Sequence, residues 1–298
     1  MENVNKTTIL GQMRTVEEHL RALGRLGSAE TMRSARRSLQ QFLRKDRPLE
    51  SLDSALVEAY EAHLKERGVT RNTSSFYLRT LRSAYNQAVE QGLVEDSRPF
   101  RHVYVGIDRT AKRAIQADDI RKVKTLDLSR WPKLELSRDL FLLSFYMRGM
   151  PFVDMAYVEK RQLANGYLTY HRKKTGQAIE VAWREEMQQI VARHPSHTKY
   201  LLPIINKENG DERRQYRTMM QRTNRHLKKI SAMAGLKVPL TTYVSRHSWA
   251  SIANTNNVPL GVISQGLGHD SLRHTQIYLD SIEHGRIHEA NQLILGLI

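Results

Sequence analysis

Apolar residues recur every three or four positions through most of the first hundred residues. Val16, Leu20, Leu23 and Leu26 share one face of a helix predicted over 15–26. Met32, Ala35, Leu39 and Phe42 do the same over 30–44. Leu56, Ala59, Tyr60 and Leu64 mark a third helix over 55–67, closed by Gly68. Asn72 or Thr73 is placed to cap a fourth, which runs through Leu78, Leu81, Tyr85 and Val89 to Gly92. Four helices of this length predict a bundle over 1–101. The stretch 102–117 has no sustained period, follows Pro99, and carries Arg109, Lys112 and Arg113, so it is expected as a basic linker.

A second, mostly helical domain is expected over 118–298. Asp118 and Asp119 suit the N-terminal dipole of its first helix. Its one β signal is the alternation over 166–171 and 178–183, with Lys173-Lys174-Thr175-Gly176 between. That is a β-hairpin with lysine at its turn. Helices are expected over 185–192, 213–234, 240–254 (capped by Thr241 or Thr242) and 259–265, then 275–283 and 288–297. The fold class is mainly α with one small hairpin or sheet.

Composition narrows the functions. The longest apolar run, near 141–147, follows Arg138 and Asp139 and falls far short of the roughly 20 residues that span a bilayer. Neither a membrane-spanning nor a secreted protein is expected. Cys is absent, which removes thiol catalysis and Cys-ligated metals and fits a cytoplasmic setting. The formal net charge is +16. The excess is shared, with 20 Lys and Arg against 14 acids through Arg113 and 27 against 17 beyond it. Two basic modules suggest one polyanion held by both, and nucleic acid fits better than a lipid surface, since no basic amphipathic helix with exposed Trp or Phe is evident.

Three elements near the C-terminus suggest chemistry. Tyr243 and Arg246 are spaced three apart, near a helix start, where a phenol and a guanidinium suit an anionic oxygen. Gly266 and Gly268 bracket a turn expected to expose His269. Tyr278 follows nine residues later. Singly, these also fit a surface arginine, a surface histidine and core tyrosines. His194 and His197 have no carboxylate nearby in sequence, so no metal site is expected there.

Taken together, Arg246-His-Ser-Trp-Ala, Leu267-Gly-His269 and Thr275-Gln-Ile-Tyr278 resemble the signature of the tyrosine recombinases, or phage integrase family. Lys174 before Thr-Gly resembles the family's catalytic lysine, and the N-terminal bundle its SAM-like core-binding domain. The resemblance implies site-specific cleavage and rejoining of double-stranded DNA, with integration, excision or inversion as the outcome. Tyr278 would be the nucleophile of a 3′-phosphotyrosyl bond, Arg246 the holder of nonbridging oxygens, Lys174 the acid for the leaving 5′-oxygen, and His269 a phosphate or proton-transfer partner. No metal, ATP or other cofactor is implied.

Two departures stand out. Tyr243 occupies a position where the family usually has His, and a phenol still donates a hydrogen bond there. The family's first arginine falls on Pro151 when Gly149 and Asp154 are aligned, which leaves Arg148 as the expected replacement. Arg33, Arg36 and Arg37 on one helix, and Arg71, Arg79 and Arg82 on or just before another, are the expected DNA contacts. Ile282, Ile287, Ala290, Leu293, Ile294 and Leu297 form an apolar stripe, and the resemblance implies that this last helix docks into a neighbouring protomer of a DNA-bound homotetramer. The rival expectations are a catalytically inactive DNA-binding regulator of the same fold and a DNA-relaxing topoisomerase.

Overall fold

The computed structural model describes residues 7–108, 113–269 and residue 295, and the chain divides into two compact units between Thr110 and Ala111. Arg109, Lys112, Tyr278 and the stripe residues Ile282, Ile287, Ala290, Leu293, Ile294 and Leu297 lie outside the described residues.

The first unit is a four-helix bundle of α1 (Ile9–Ala22), α2 (Leu26–Leu43), α3 (Ser54–Glu66) and α4 (Arg71–Glu90). Side-chain oxygens close two of its helix starts. Gly11 N–H donates to Thr8 Oγ1, and Leu56 N–H to Asp53 Oδ1. Met13, Leu39, Tyr60, Leu64, Leu78 and Tyr85 fill the core.

The helix expected over 15–26 is displaced. Gly24, at φ +69°, ends α1, and Leu26 opens α2. Leu23 and Leu26, counted as core by their spacing, are exposed because the chain turns between them. Neither Asn72 nor Thr73 is the cap of α4, since Thr70 holds that position. Asn72 reaches across the fold instead, donating to Asp108 O and accepting from Asp108 N–H at 2.7 Å. Residues 102–108 of the stretch expected as a linker are packed on the bundle, whereas Ile115 is buried in the core of the second unit, its N–H donating to Ser248 Oγ at 2.9 Å. Val103 is buried and Tyr104 N–H donates to Glu61.

In the second unit α5 (Ala117–Thr125), α6 (Pro132–Tyr146) and the short α7 (Phe152–Tyr157) precede a three-stranded antiparallel sheet. Its strands are β1 (Leu163–Ala164), β2 (Tyr167–His171) and β3 (Ala178–Ala182), with Tyr167 opposite Ala182 and His171 opposite Ala178. Then come α8 (Glu185–Arg193), α9 (Glu212–Met233), α10 (Val244–Thr255) and α11 (Leu260–Leu267).

Helix α6 is the hub, packed against α5, α8, α9 and α10. Every residue from Ser137 to Ser144 on it is buried, so it shows little amphipathic period. Among them is the carboxylate of Asp139, which accepts from Arg138 at 2.8 Å and Arg193 at 2.6 Å and meets His194 Nε2 at 2.9 Å. Burial alone would raise its pKa, but these partners hold it below the ordinary range. His194 therefore does have a carboxylate partner, 55 residues away in sequence, in a tie between α8 and α6.

Candidate active site

The site assembles where the turn after α6, the end of β2, the start of α10 and the end of α11 converge. Arg148 and Gly149 both adopt positive φ, 57° and 71°, and reverse the chain after α6. The glycine is required there, because a Cβ on it would stand 2.5 Å from Arg246 Cα. The turn is also pinned by Ser144, whose Oγ lies 2.8 Å from Met150 O and 2.7 Å from Ser245 Oγ on α10.

Helix α10 starts at Val244, later than expected, with neither Thr241 nor Thr242 as cap. Thr242 N–H instead donates to Asn224 Oδ1 of α9, a partner that local sequence does not reveal. Arg246, on the first turn of α10, is buried at 3% exposure. Its Nη1 donates to Gly149 O at 3.0 Å, and its Nη2 reaches Leu267 O at 2.6 Å and His269 Nε2 at 2.9 Å. Donation to His269 requires Nε2 to carry no proton. Arg246 and His269, 23 residues apart, are thus brought into direct contact.

The turn before His269 differs from expectation. Gly266 belongs to the last turn of α11, against the Trp249 ring, and Gly268 alone caps the helix at φ +63°. His269 is half-buried rather than exposed. Lys174 sits exposed in the β2–β3 turn. Its neighbour Lys173 lies over the Tyr157 ring at 4.1 Å. Tyr243 precedes α10, half-exposed at 51%, with its ring edge-on to His247 at 4.6 Å. Burial, with Arg246 and Arg113 nearby, holds His247 below the ordinary imidazole pKa. Arg148 turns toward α11, its Cδ 3.7 Å from where a Cβ on Gly266 would stand. It lines a cleft of about 540 Å³ with Glu180, Trp249 and Val262. The nucleophile candidate, Tyr278, is outside the described residues.

Arg172 was not singled out from the sequence. It is 7% exposed, one residue beyond β2, with Nη1 donating to Leu267 O at 3.0 Å and Gly268 O at 2.8 Å. Its Nε faces Asp154 Oδ2 at 3.4 Å, while Asp154 Oδ1 accepts from Lys173 N–H at 2.9 Å. Burial raises the Asp154 pKa despite these contacts. The missed signal is the strand period itself. Leu168 and Tyr170 point inward, and Arg172 continues that register with a charge. Burial pushes the Tyr170 phenol well up, with Asp154, Arg172, Arg246 and Arg148 the charges acting on it.

The arginines expected to meet DNA are already organised. Glu17, buried on α1, accepts from Arg33 at 2.7 Å, Arg36 at 3.0 Å and Arg21 at 3.2 Å. Arg37, on α2 as well, is exposed, and Arg79 and Arg82 are half-buried on α4. Arg71 lies 3.6 Å over the Tyr104 ring and 3.5 Å from Asp108. A further cationic surface was missed. Helix α9 carries Arg213, Arg214, Arg217, Arg222, Arg225, Lys228 and Lys229 against one acid, Glu212. Its opposite face buries Met219, Leu227 and Ile230.

Among the described residues, no three His, Cys, Asp or Glu side chains are grouped to hold a metal, and no helix is long and apolar enough to cross a membrane.

Comparison with known proteins matches both units. The profile of the phage integrase SAM-like domain matches residues 8–103, and that of the phage integrase family matches residues 134–284. Tyrosine recombinase XerC of Thermodesulfovibrio yellowstonii is 24% identical over 263 residues, 84% of this chain and 85% of the relative. A lambda integrase dimer bound to a COC′ core site superposes with a TM-score of 0.70 at 16% identity, covering 94% of this chain and 81% of that one. A lambda integrase tetramer bound to a Holliday junction gives 0.67 at 16% identity, covering 90% and 79%.

Proposed function

From membership of the phage integrase family, to which this chain belongs, we propose that it is a site-specific DNA recombinase, cutting and rejoining duplex DNA through a phosphotyrosyl intermediate. The observation that carries the site assignment is the contact of Arg246 with His269 at 2.9 Å. A buried guanidinium beside an imidazole suits a phosphodiester whose charge rises as phosphorus becomes pentacoordinate.

In this reading the Tyr278 oxygen forms a bond to phosphorus as the P–O5′ bond breaks. The phenol proton leaves with the assistance of His269, and the leaving 5′-oxygen takes a proton from Lys174. Rejoining runs the same steps in reverse, so the phosphotyrosyl bond conserves the energy of the broken linkage. Arg246 holds a nonbridging oxygen. Tyr243, just before α10, donates to the phosphate in this reading, and Arg148 is the sequence's candidate for a second cation. Arg33, Arg36, Arg37, Arg71, Arg79 and Arg82 of the bundle, together with the cations of α9, supply phosphate contacts. Four copies assemble on DNA, a reading supported by the lambda integrase tetramer bound to a Holliday junction, and the C-terminal helix is the proposed contact between them.

The test is a DNA substrate carrying the element's own ends, nicked near the crossover so that cleavage cannot reverse. The expected result is a covalent protein–DNA adduct without metal or ATP, absent in Tyr278→Phe. Site-specific binding with no adduct would leave a DNA-binding regulator of the same fold. Supercoil relaxation without site preference would point to a topoisomerase.

A further inference from the structure

Arg172 carries a donor that its structural contacts leave unused. Its Nη1 and Nε are committed to two backbone carbonyls and to Asp154. Its Nη2, the third nitrogen of the same guanidinium, makes no hydrogen bond among the described residues, and the side chain keeps 7% of its surface exposed. A guanidinium taken out of water with one nitrogen unpaired is poised for an anionic oxygen.

Its surroundings identify that oxygen. Arg172 and Arg246 both donate to Leu267 O, at 3.0 and 2.6 Å, so two cations share one acceptor beside His269. Asp154 offsets part of the repulsion between these two guanidiniums, and an anion held between them would offset more. Gly268 secures the approach, since a Cβ there would stand 2.7 Å from Arg172 Cδ. Arg172 is also two residues from Lys174, so the hairpin carries both. Arg148, by contrast, directs its side chain along α11 into the cleft with Trp249 and Val262.

We propose that Arg172 is a catalytic residue, its Nη2 holding a nonbridging oxygen of the scissile phosphate opposite Arg246, in the role that the sequence leaves to Arg148. This rests on the recombinase reading. Arg172 takes part in no bond change. It balances the charge that gathers on the equatorial oxygens while the Tyr278–phosphorus bond forms and the P–O5′ bond breaks.

The test compares adduct formation by wild type, Arg172→Lys, Arg172→Ala and Arg148→Ala. Two substrates are used, one with an ordinary phosphodiester and one with a methylphosphonate at the cleavage position. The methyl group removes the charged nonbridging oxygen. Arg172→Lys keeps a cation at the site, and its melting curve and DNA affinity verify folding. On phosphate, the expected loss is about a hundredfold in rate for Arg172→Lys and at least that for Arg172→Ala, with less than about tenfold for Arg148→Ala. On methylphosphonate, Arg172→Lys and wild type should converge to within about threefold, because the charge that the guanidinium serves is gone. A folded Arg172→Lys as fast as wild type on phosphate would overturn the proposal. So would a defect of equal size on both substrates, which marks a structural role. No adduct from wild type on either substrate would overturn the recombinase reading, and this inference with it.

Discussion

Gly149 and Arg246 approach so closely that their backbones nearly touch, with only 2.5 Å between a Cβ built on the glycine and Arg246 Cα. At φ +71° an L side chain is strained by about 1–2 kcal/mol, and overpacking adds about 1–3 kcal/mol. Gly149→Ala is therefore expected to destabilise the second unit by several kcal/mol on those scales. Trp131, Trp183 and Trp249 all lie in that unit, so denaturation followed by Trp fluorescence reads the loss directly. A variant as stable as wild type would mean that α10 can withdraw from the turn.

The hydroxyl relay behind the same turn has its own signature. Ser144 and Ser245 have two protons for three contacts, to each other, to Met150 O and to Thr242 O. Ser144→Ala orphans the buried Met150 carbonyl and should cost about 1–3 kcal/mol. Ser245→Ala leaves Ser144 free to serve Met150, so its cost should be smaller. Equal costs in the same denaturation assay would refute this ordering.

Glu17 sets an acid limit on the first unit. Burial acts to raise its pKa, yet hydrogen bonds from Arg33 and Arg36 hold it below 4.5 in the fold. A folded pKa below the unfolded one gives stability that is complete above about pH 4.5 and lost as pH falls through the folded value. Hydrogen exchange in α1 and α2 should accelerate below that point in wild type. Glu17→Gln should be less stable at neutral pH, with a shallower acid dependence. Parallel pH profiles for the two proteins would show that the carboxylate charge does not matter.

The cationic face of α9 predicts a change in salt dependence. Arg225 and Lys228 are exposed, so alanine at both should leave melting unchanged. If both meet phosphates, the slope of log K against log salt should fall by about 1.8, close to 0.9 per contact. An unchanged slope in fluorescence anisotropy titrations would place α9 away from the DNA.

What the sequence made legible follows the range of the forces involved. The hairpin was readable because strand alternation is local, and β2 buries Leu168 and Tyr170 in that period. Helices α3 and α8 fell within a residue or two of their expected bounds for the same reason. Helix α7 was read as a turn, since six residues after Pro151 leave too little period to detect. The start of α10 differs from expectation because Thr242, two residues before the helix, is held by Asn224 of α9, 18 positions away. Arg172 escaped notice because an inward-facing arginine looks like an error of register until Leu267, Gly268 and Asp154 are seen to receive it. The contact of Arg246 with His269 depends on two glycine-bearing turns whose approach no spacing states.

Beside the side chains of Asp154 and His269, the two buried arginines donate to Gly149 O, Leu267 O and Gly268 O, which are main-chain atoms. No exchange of a side chain at 267 can delete such an acceptor. Residue identity at Leu267 is thereby decoupled from the electrostatics of the site and answers only to the apolar packing beneath it. For protein engineering, this gives the loops around the phosphate site latitude to be redesigned for new DNA targets, provided that their backbone path is kept.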